Sequence, residues 1–250
     1  SNAMADRGTN IHWLAENLFN NAEFTVGEEV PGEKHIGAFI VEADMLEEAE
    51  SFVAYAKALM TDDSAELFAE AKVMIIPEFD ISGHVDCTII DGTTLHILDL
   101  KTGRNAVQAR GNLQMQLYAL GSLIEHSMFY EFDTVVLHIV QDNAKIHNSN
   151  SWETTPELLE EFLTWVTERA RLALQEDSIC TPSESACRWC SHASHCKAVY
   201  DYTMDIVETQ FEDFDAQDDE EVTLQMIADL LAKKKLADKI FKEAAIRLEA

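Results

Sequence analysis

Positive charge is what this chain has least of. Its 250 residues carry 18 Lys and Arg against 46 Asp and Glu, a formal net charge of −28 at pH 7. That balance excludes a protein that coats DNA through a broad basic face, because such binding rests on neutralising many phosphates at once. It leaves open an enzyme that admits nucleic acid through a local cleft charged by metal ions. Long apolar runs are missing too. None approaches the ~18 residues of a membrane-spanning helix, and no secretory signal is visible. Cysteine is sparse, five in the chain, which excludes a secreted disulfide scaffold. Four of the five crowd into residues 180–196. That crowding points to metal in a reducing compartment.

What is present suffices for a core. Hydrophobic residues make up 47% of the chain and charged ones 26%, the composition of a folded protein with one domain and an appendage, or two small domains. Ser1-Asn2-Ala3 ahead of Met4 read as an expression-tag scar. Apolar residues at helical spacing predict helices over 8–20 and 41–60. Residues 21–38 read as irregular. Short segments rich in Val, Ile and Thr at 71–77, 82–90 and 94–100 predict strands, with a hairpin turn at Asp91-Gly92 between the last two. Residues 106–126 return to a helix and 134–141 read as a buried strand. Thr154, three residues before Glu157, has capping-box spacing for a helix over 156–175. Residues 201–221 hold ten acids and no Lys or Arg, as a solvated linker would. A last helix is expected over 222–249, with the basic run Lys233-Lys234-Lys235.

The informative stretch is SGHVDC followed eleven residues later by LDLKTG. Asp99 and Lys101 lie two apart in one strand and so face the same side. A hairpin pairing brings Asp86 beside them. Two carboxylates and a lysine converging at strand ends can cleave a phosphodiester. The carboxylates bind a hard divalent cation that keeps its waters, the metal lowers the pKa of one water, and Lys101 orients it or offsets transition-state charge. The plainer alternative is that these are strand-end residues paired with one another. Against it, the acids stand between Val85 and Ile89 and between Leu98 and Leu100, where an unpaired charge is costly.

The run GHVDC…LHILDLKTG, followed by NLQMQLYALG, resembles the PD-(D/E)XK nuclease core of the RecB-type branch. That branch has a G-x-x-D strand, a (D/E)-x-K-T-G strand and a helix with Q-x-x-x-Y, matched here by Gln114 and Tyr118. Upstream it has G-T-x-x-H-x-x-x-E, matched by Gly8, Thr9, His12 and Glu16. The resemblance covers residues 8–200 and extends to a phage- and prophage-encoded family of RecB-like proteins, to the RecB and AddAB nuclease domains and to CRISPR-associated RecB-type exonucleases. It implies that His12, Asp86 and Asp99 bind Mg²⁺ or Mn²⁺, with the Leu100 carbonyl as a further ligand. It makes Lys101 the catalytic lysine and places Gln114 and Tyr118 along the cleft, touching the DNA backbone or steadying Lys101. Glu16 and Glu70 are weaker candidates for a further acidic position. Nothing in the pattern needs His84 or His96, which read as structural. Cys87, next to Asp86 in a strand, should point to the opposite face as a small core residue.

Cys180, Cys187, Cys190 and Cys196, with His192 and His195 in the last loop, have a spacing that can close a tetrahedral Zn²⁺ site or hold a [4Fe–4S] cluster; spacing alone does not decide. Four reduced structural cysteines fit less well, because three of them stand in polar sequence. The resemblance implies iron–sulfur, with three cysteines after the nuclease core and a fourth ahead of the first helix. No Cys precedes Cys87 here. Either Cys180 takes that position, or an upstream segment held it, or the cluster is incomplete.

Together these readings predict an α/β, restriction-endonuclease-like PD-(D/E)XK core over 4–176, a mixed central sheet flanked by helices. A Cys-rich metal module at 177–200, an acidic linker at 201–221 and a C-terminal helix at 222–250 follow. The implied activity is metal-dependent hydrolysis of DNA, as an exonuclease of phage replication, recombination or repair in the cytoplasm of a bacterial host. The partners expected are single- or double-stranded DNA and a basic protein or further copies of the chain, with no membrane. The alternatives are a catalytically idle member of the same fold that binds nucleic acid or scaffolds a complex, and a zinc-stabilised interaction protein.

Overall fold

Five strands between Glu66 and Thr154 form one sheet, each beside the next in chain order. The computed structural model describes residues 3–32, 36–187 and 190–204, with Lys234 and Asp238. The chain divides into two compact units, Ser1–Leu172 and Ala173–Ala250. The first unit opens with α1 (Ala3–Phe19), the short pair β1 (Glu29–Val30) and β2 (Phe39–Ile40), and α2 (Ala43–Ala58). Then come β3 (Glu66–Ile76), β4 (Ile81–Asp91), β5 (Thr94–Leu100), α3 (Leu113–His126) and β6 (Thr134–Val140). A small hairpin, β7 (Asp142–Asn143) and β8 (Ile146–His147), leads to β9 (Asn150–Thr154) and α4 (Pro156–Ala173). Strands β5 and β6 are parallel, joined through α3, and the other pairs are antiparallel. This is a mixed α/β fold with a five-stranded mixed sheet.

Each face of the sheet has its own core. Ile11 and Leu14 of α1 and Phe52 and Ala56 of α2 pack with Cys87, Ile89, Leu98 and Leu100. Met115, Ala119 and Leu120 of α3 and Leu159 of α4 pack with Val85, Ile97, Leu137 and Ile139. Cys87 is fully buried on the α1–α2 face. Burial holds its thiol well above the ordinary range, helped by the charges of Asp86 and Glu70.

Four sequence expectations need correction. The helix expected from residue 106 begins at Leu113. Gly111 takes φ 69° and Asn112 caps the helix, its side chain accepting from the Met115 N–H at 3.2 Å. The cap of α4 is Thr155, whose Oγ1 accepts the Leu158 N–H at 3.4 Å, and not Thr154. Thr154 instead ends β9, and its buried hydroxyl has no hydrogen-bond partner among the described residues. Third, β3 starts at Glu66 and not at Ala71, because its first half, Glu66-Leu67-Phe68-Ala69-Glu70, has no β-branched residue to mark it as a strand. The linker expected from residue 201 is corrected at its start, where residues 201–204 continue a helix from 197; the rest of it and the expected C-terminal helix lie outside the described residues, apart from Lys234 and Asp238, both helical. Among the described residues no helix is long and apolar enough to cross a membrane.

Candidate functional site

The site forms where the sheet comes apart. Strands β4 and β5 pair from Asp91↔Thr94 to Cys87↔Leu98, and the ladder stops there. The next level would set Asp86 against Asp99, two like charges directly opposed, an arrangement that destabilises a strand pair. The strands splay instead. Asp86 Oδ2 accepts the Leu100 N–H at 2.7 Å, while β5 stays joined to β6 through Leu100↔Val140 and a Lys101 N–H to Val140 carbonyl bond of 2.9 Å.

A second irregularity lies at the same level. In β3 and β4, Ala69↔Cys87 and Ala71↔Val85 are paired, and Glu70 between them stands at φ 48°, a left-handed conformation unusual for a glutamate inside a strand. The alternation of faces slips here. Phe68 packs against His126 of α3, the rings tilted with centroids 4.8 Å apart, yet Val73 and Ile75, odd-numbered, also face α3 beside Gly121. In β4, Thr88 meets Ser122 of α3, while Val85 shares the α3-side core. The slip lets Glu70 and Asp86 present their carboxylates to α1. There His12 Nδ1 lies 3.4 Å from Asp86 Oδ1 and 3.8 Å from Glu70 Oε1. Burial works against the charge of His12, but the two carboxylates outweigh it and raise the imidazole to about 10.

On the other flank, Lys101 Nζ is 2.6 Å from Asp99 Oδ2 and donates to Gln114 Oε1 at 3.1 Å. Gln114 Nε2 donates in turn to the Tyr118 hydroxyl at 2.8 Å. The Asp99 side chain is only 4% exposed. Its Oδ2 is in ion-pair contact with Lys101 yet lacks an aligned hydrogen bond. Burial, and then the charge of Asp86, raise the Asp99 carboxyl to about 6, against the pull of Lys101 and His12. Two glycines make room for this arrangement. A methyl group on Gly83 would lie 2.6 Å from Tyr118 Cε1, and one on Gly8 would lie 3.0 Å from Thr102 Oγ1. The glycines of both sequence motifs are therefore sites of close approach.

All the residues singled out in the sequence as nuclease-site members meet at this one end of the sheet: His12 from α1, Asp86 from β4, Asp99 and Leu100 from β5, Lys101 just past its end, and Gln114 and Tyr118 from α3. Glu70 joins them more closely than the sequence suggested, through its bend in β3. Glu16 lines a neighbouring cleft of about 450 Å³ with Thr9, His12, Trp13, Glu70 and Thr102.

One ligand atom each from His12, Glu70 and Asp86 falls within 4.8 Å of the others. Donors at ~2.1 Å from a small divalent ion stand somewhat closer together than that, so modest closure suffices. Carboxylates with an imidazole, beside a buried carboxylate oxygen lacking an aligned donor, suit Mg²⁺ or Mn²⁺.

In the second unit, Cys180 hydrogen-bonds Cys196 and feels the charges of Cys190 and Cys187, but among the described residues no three of these thiols bring their sulfur atoms within 4.8 Å of one another. The contact with Cys196 raises the Cys180 thiol. Backbone N–H groups of Val199 and Ala198 lower that of Cys196, which sits at the start of the helical residues 197–204. The Cys187 side chain packs with Val199.

The chain belongs to the family described as "Protein of unknown function (DUF2800)", whose model matches residues 1–249. Among solved structures it is similar to one titled "Crystal structure of SSO0001", with 14% identity over 62% of this chain and 70% of that one and a TM-score of 0.32.

Proposed function

We propose that this protein is a divalent-metal-dependent DNA nuclease of the PD-(D/E)XK type, in its RecB-like branch. The observation that carries the reading is the convergence of Asp86, Asp99, Lys101, Gln114 and His12 from four elements onto one splayed strand end. No packing need explains placing them together, since like-charged acids at that level disrupt the sheet. Mg²⁺ or Mn²⁺, when bound, supplies a water of lowered pKa and takes up phosphate charge. His12, Asp86, Asp99 and the Leu100 carbonyl would hold it, with Glu70 as a further acidic ligand. Leu100 N–H keeps one Asp86 oxygen fixed, and the other, on the His12 side, would ligate. Lys101, steered by Asp99 and Gln114, stabilises negative charge at the scissile phosphate. Tyr118 holds Gln114 in register. In the second unit, Cys180, Cys187, Cys190 and Cys196 would hold a [4Fe–4S] cluster or Zn²⁺. The biological setting proposed is phage DNA replication, recombination or repair, with exonucleolytic action.

A second reading, an idle member of the fold that binds nucleic acid or scaffolds a complex, draws on the net charge of −28. One experiment separates the two. End-labelled single- and double-stranded DNA is incubated with Mn²⁺ or Mg²⁺ at low salt, with the native chain and with Asp99→Ala. Metal-dependent degradation by the native chain alone supports the nuclease and displays its polarity. Intact DNA in both lanes, with metal binding retained, overturns it in favour of the idle reading.

A further inference from the structure

Between Asp99 and Glu125 the sequence has no acid, in a chain with 46 of them. That stretch includes the loop from Lys101 to Asn112, and the loop carries Arg104 and Arg110. Both arginines are exposed, and neither has an ion-pair partner among the described residues. Both ends of the loop are in the site. Lys101 contacts Asp99 and Gln114 at its start, and Asn112 caps the helix that carries Gln114 and Tyr118.

The middle of the loop is held from below by Gln141, which is completely buried. Its Nε2 donates to the Gly103 carbonyl at 3.1 Å and to the Asn105 carbonyl at 2.9 Å. Its Oε1 accepts the Val107 N–H at 3.1 Å and the Asn148 side-chain amide at 2.9 Å. Asn150 completes the cradle. Its Oδ1 accepts the Ala109 N–H at 2.7 Å and its Nδ2 donates to the Val107 carbonyl at 2.9 Å. A buried carboxamide with its donors and acceptor all used costs nothing unsatisfied and fixes the backbone around it. The loop is thus preformed, and it presents two exposed arginines that make no ion pair among the described residues.

We infer that the loop 101–112 is a strand-binding strap: Arg104 and Arg110 take backbone phosphates of a nucleic acid strand, and Gln141 is the positioning residue that holds the strap over Lys101. A guanidinium fork suits phosphate, and a preformed loop binds without the entropy cost of ordering. Phosphate contacts position a strand without reading its sequence. The inference rests on the nuclease reading for what happens to the strand, and not for the binding itself.

The test is equilibrium binding of a fluorescein-labelled single-stranded 30-mer to the full chain, over a range of salt, with Ca²⁺ in place of Mg²⁺. R104A/R110A should bind about 25-fold more weakly at about 0.1 M salt, with the slope of log affinity against log salt reduced by about 1.4, from ~0.7 per phosphate contact. Gln141→Met should also flatten the slope, although both arginines remain. Loss of stability alone does not do that below the melting temperature. K57A, which removes an exposed cation in the last turn of α2, should leave the slope unchanged. An unchanged slope in R104A/R110A, an equal loss in K57A, or no binding by the native chain overturns the strap. Cleavage that needs Lys101 but ignores both arginines overturns the strap and leaves the nuclease standing. Arginine-dependent binding without cleavage does the reverse.

Discussion

His12 and His138 both sit largely within the first unit, and their titrations are driven in opposite directions. His138 on β6 is 4% exposed, and its polar neighbours are neutral: the Tyr55 hydroxyl 3.0 Å from Nδ1 and His96 Nδ1 3.0 Å from Nε2. Burial, reinforced by His96, pushes it down to about 3. Burial also opposes charge on His12, but Asp86 and Glu70 override it and raise that ring to about 10. The two clusters share one sheet. One is a neutral hydrogen-bonded bridge from α2 to β5 that stiffens the core. The other keeps several charges together at an open strand end, which is how sites for chemistry differ from polar packing.

Removing one member from each cluster should give the largest contrast. Lys101→Ala should lower DNA cleavage by about 10²-fold or more while leaving the melting temperature nearly unchanged, the size of loss seen when a preorganised charge-stabilising group is removed. His138→Phe should do the opposite, with a lower melting temperature and unchanged turnover. Paired cleavage and thermal melting assays check both, and equal behaviour of the two variants would dissolve the distinction.

Acid titration sharpens it next. A histidine depressed in the folded state contributes stability that is complete above the unfolded value of ~6.5 and is lost as pH falls toward about 3. Urea unfolding should therefore show about 3 kcal/mol less contribution from His138 at pH 4 than at pH 7. The difference between native and His138→Phe slopes isolates this term. Asp99, raised to about 6, acts the other way: its contribution is present below the unfolded carboxyl value and lost as pH rises through about 6.

Smaller effects follow at the edges. Gly83→Ala forces a methyl group to within 2.6 Å of the Tyr118 ring. Overpacking of this kind should cost about 1–3 kcal/mol in unfolding experiments, and displacement of Gln114 should slow cleavage alongside. Glu70→Gln should weaken Mn²⁺ binding about tenfold by titration calorimetry, an effect in the range of changes around a metal site. Unaltered affinity would remove Glu70 from the ligand set. The smallest effect lies outside both clusters. Thr154→Val should stabilise the chain by about 1 kcal/mol, because it removes a buried hydroxyl that has no partner among the described residues.

Much of this was legible along the chain. Helical spacing located α1 and α2, β-branched runs located β4, β5 and β6, and the two-residue period put Asp99 and Lys101 on one side. Those are local properties, set by a residue's near neighbours. Glu70 was legible only as one of two candidate acids beside Glu16, and Gln141 and the Thr155 cap were not legible. Glu70 becomes a site residue through a left-handed bend in β3, and acid-rich sequence carries no sign of such a bend. Gln141 matters through carbonyls more than thirty residues away in sequence. Thr154 and Thr155 offer the same hydroxyl, and only the pairing of β9 with β6 decides which one caps α4. Composition and periodicity by themselves determined the element types, the acidic character and the candidate carboxylate–lysine set. Tertiary structure alone decided where the ladder opens, which acid joins His12 and which loop is held rigid, because each depends on contacts between segments that sequence order keeps apart.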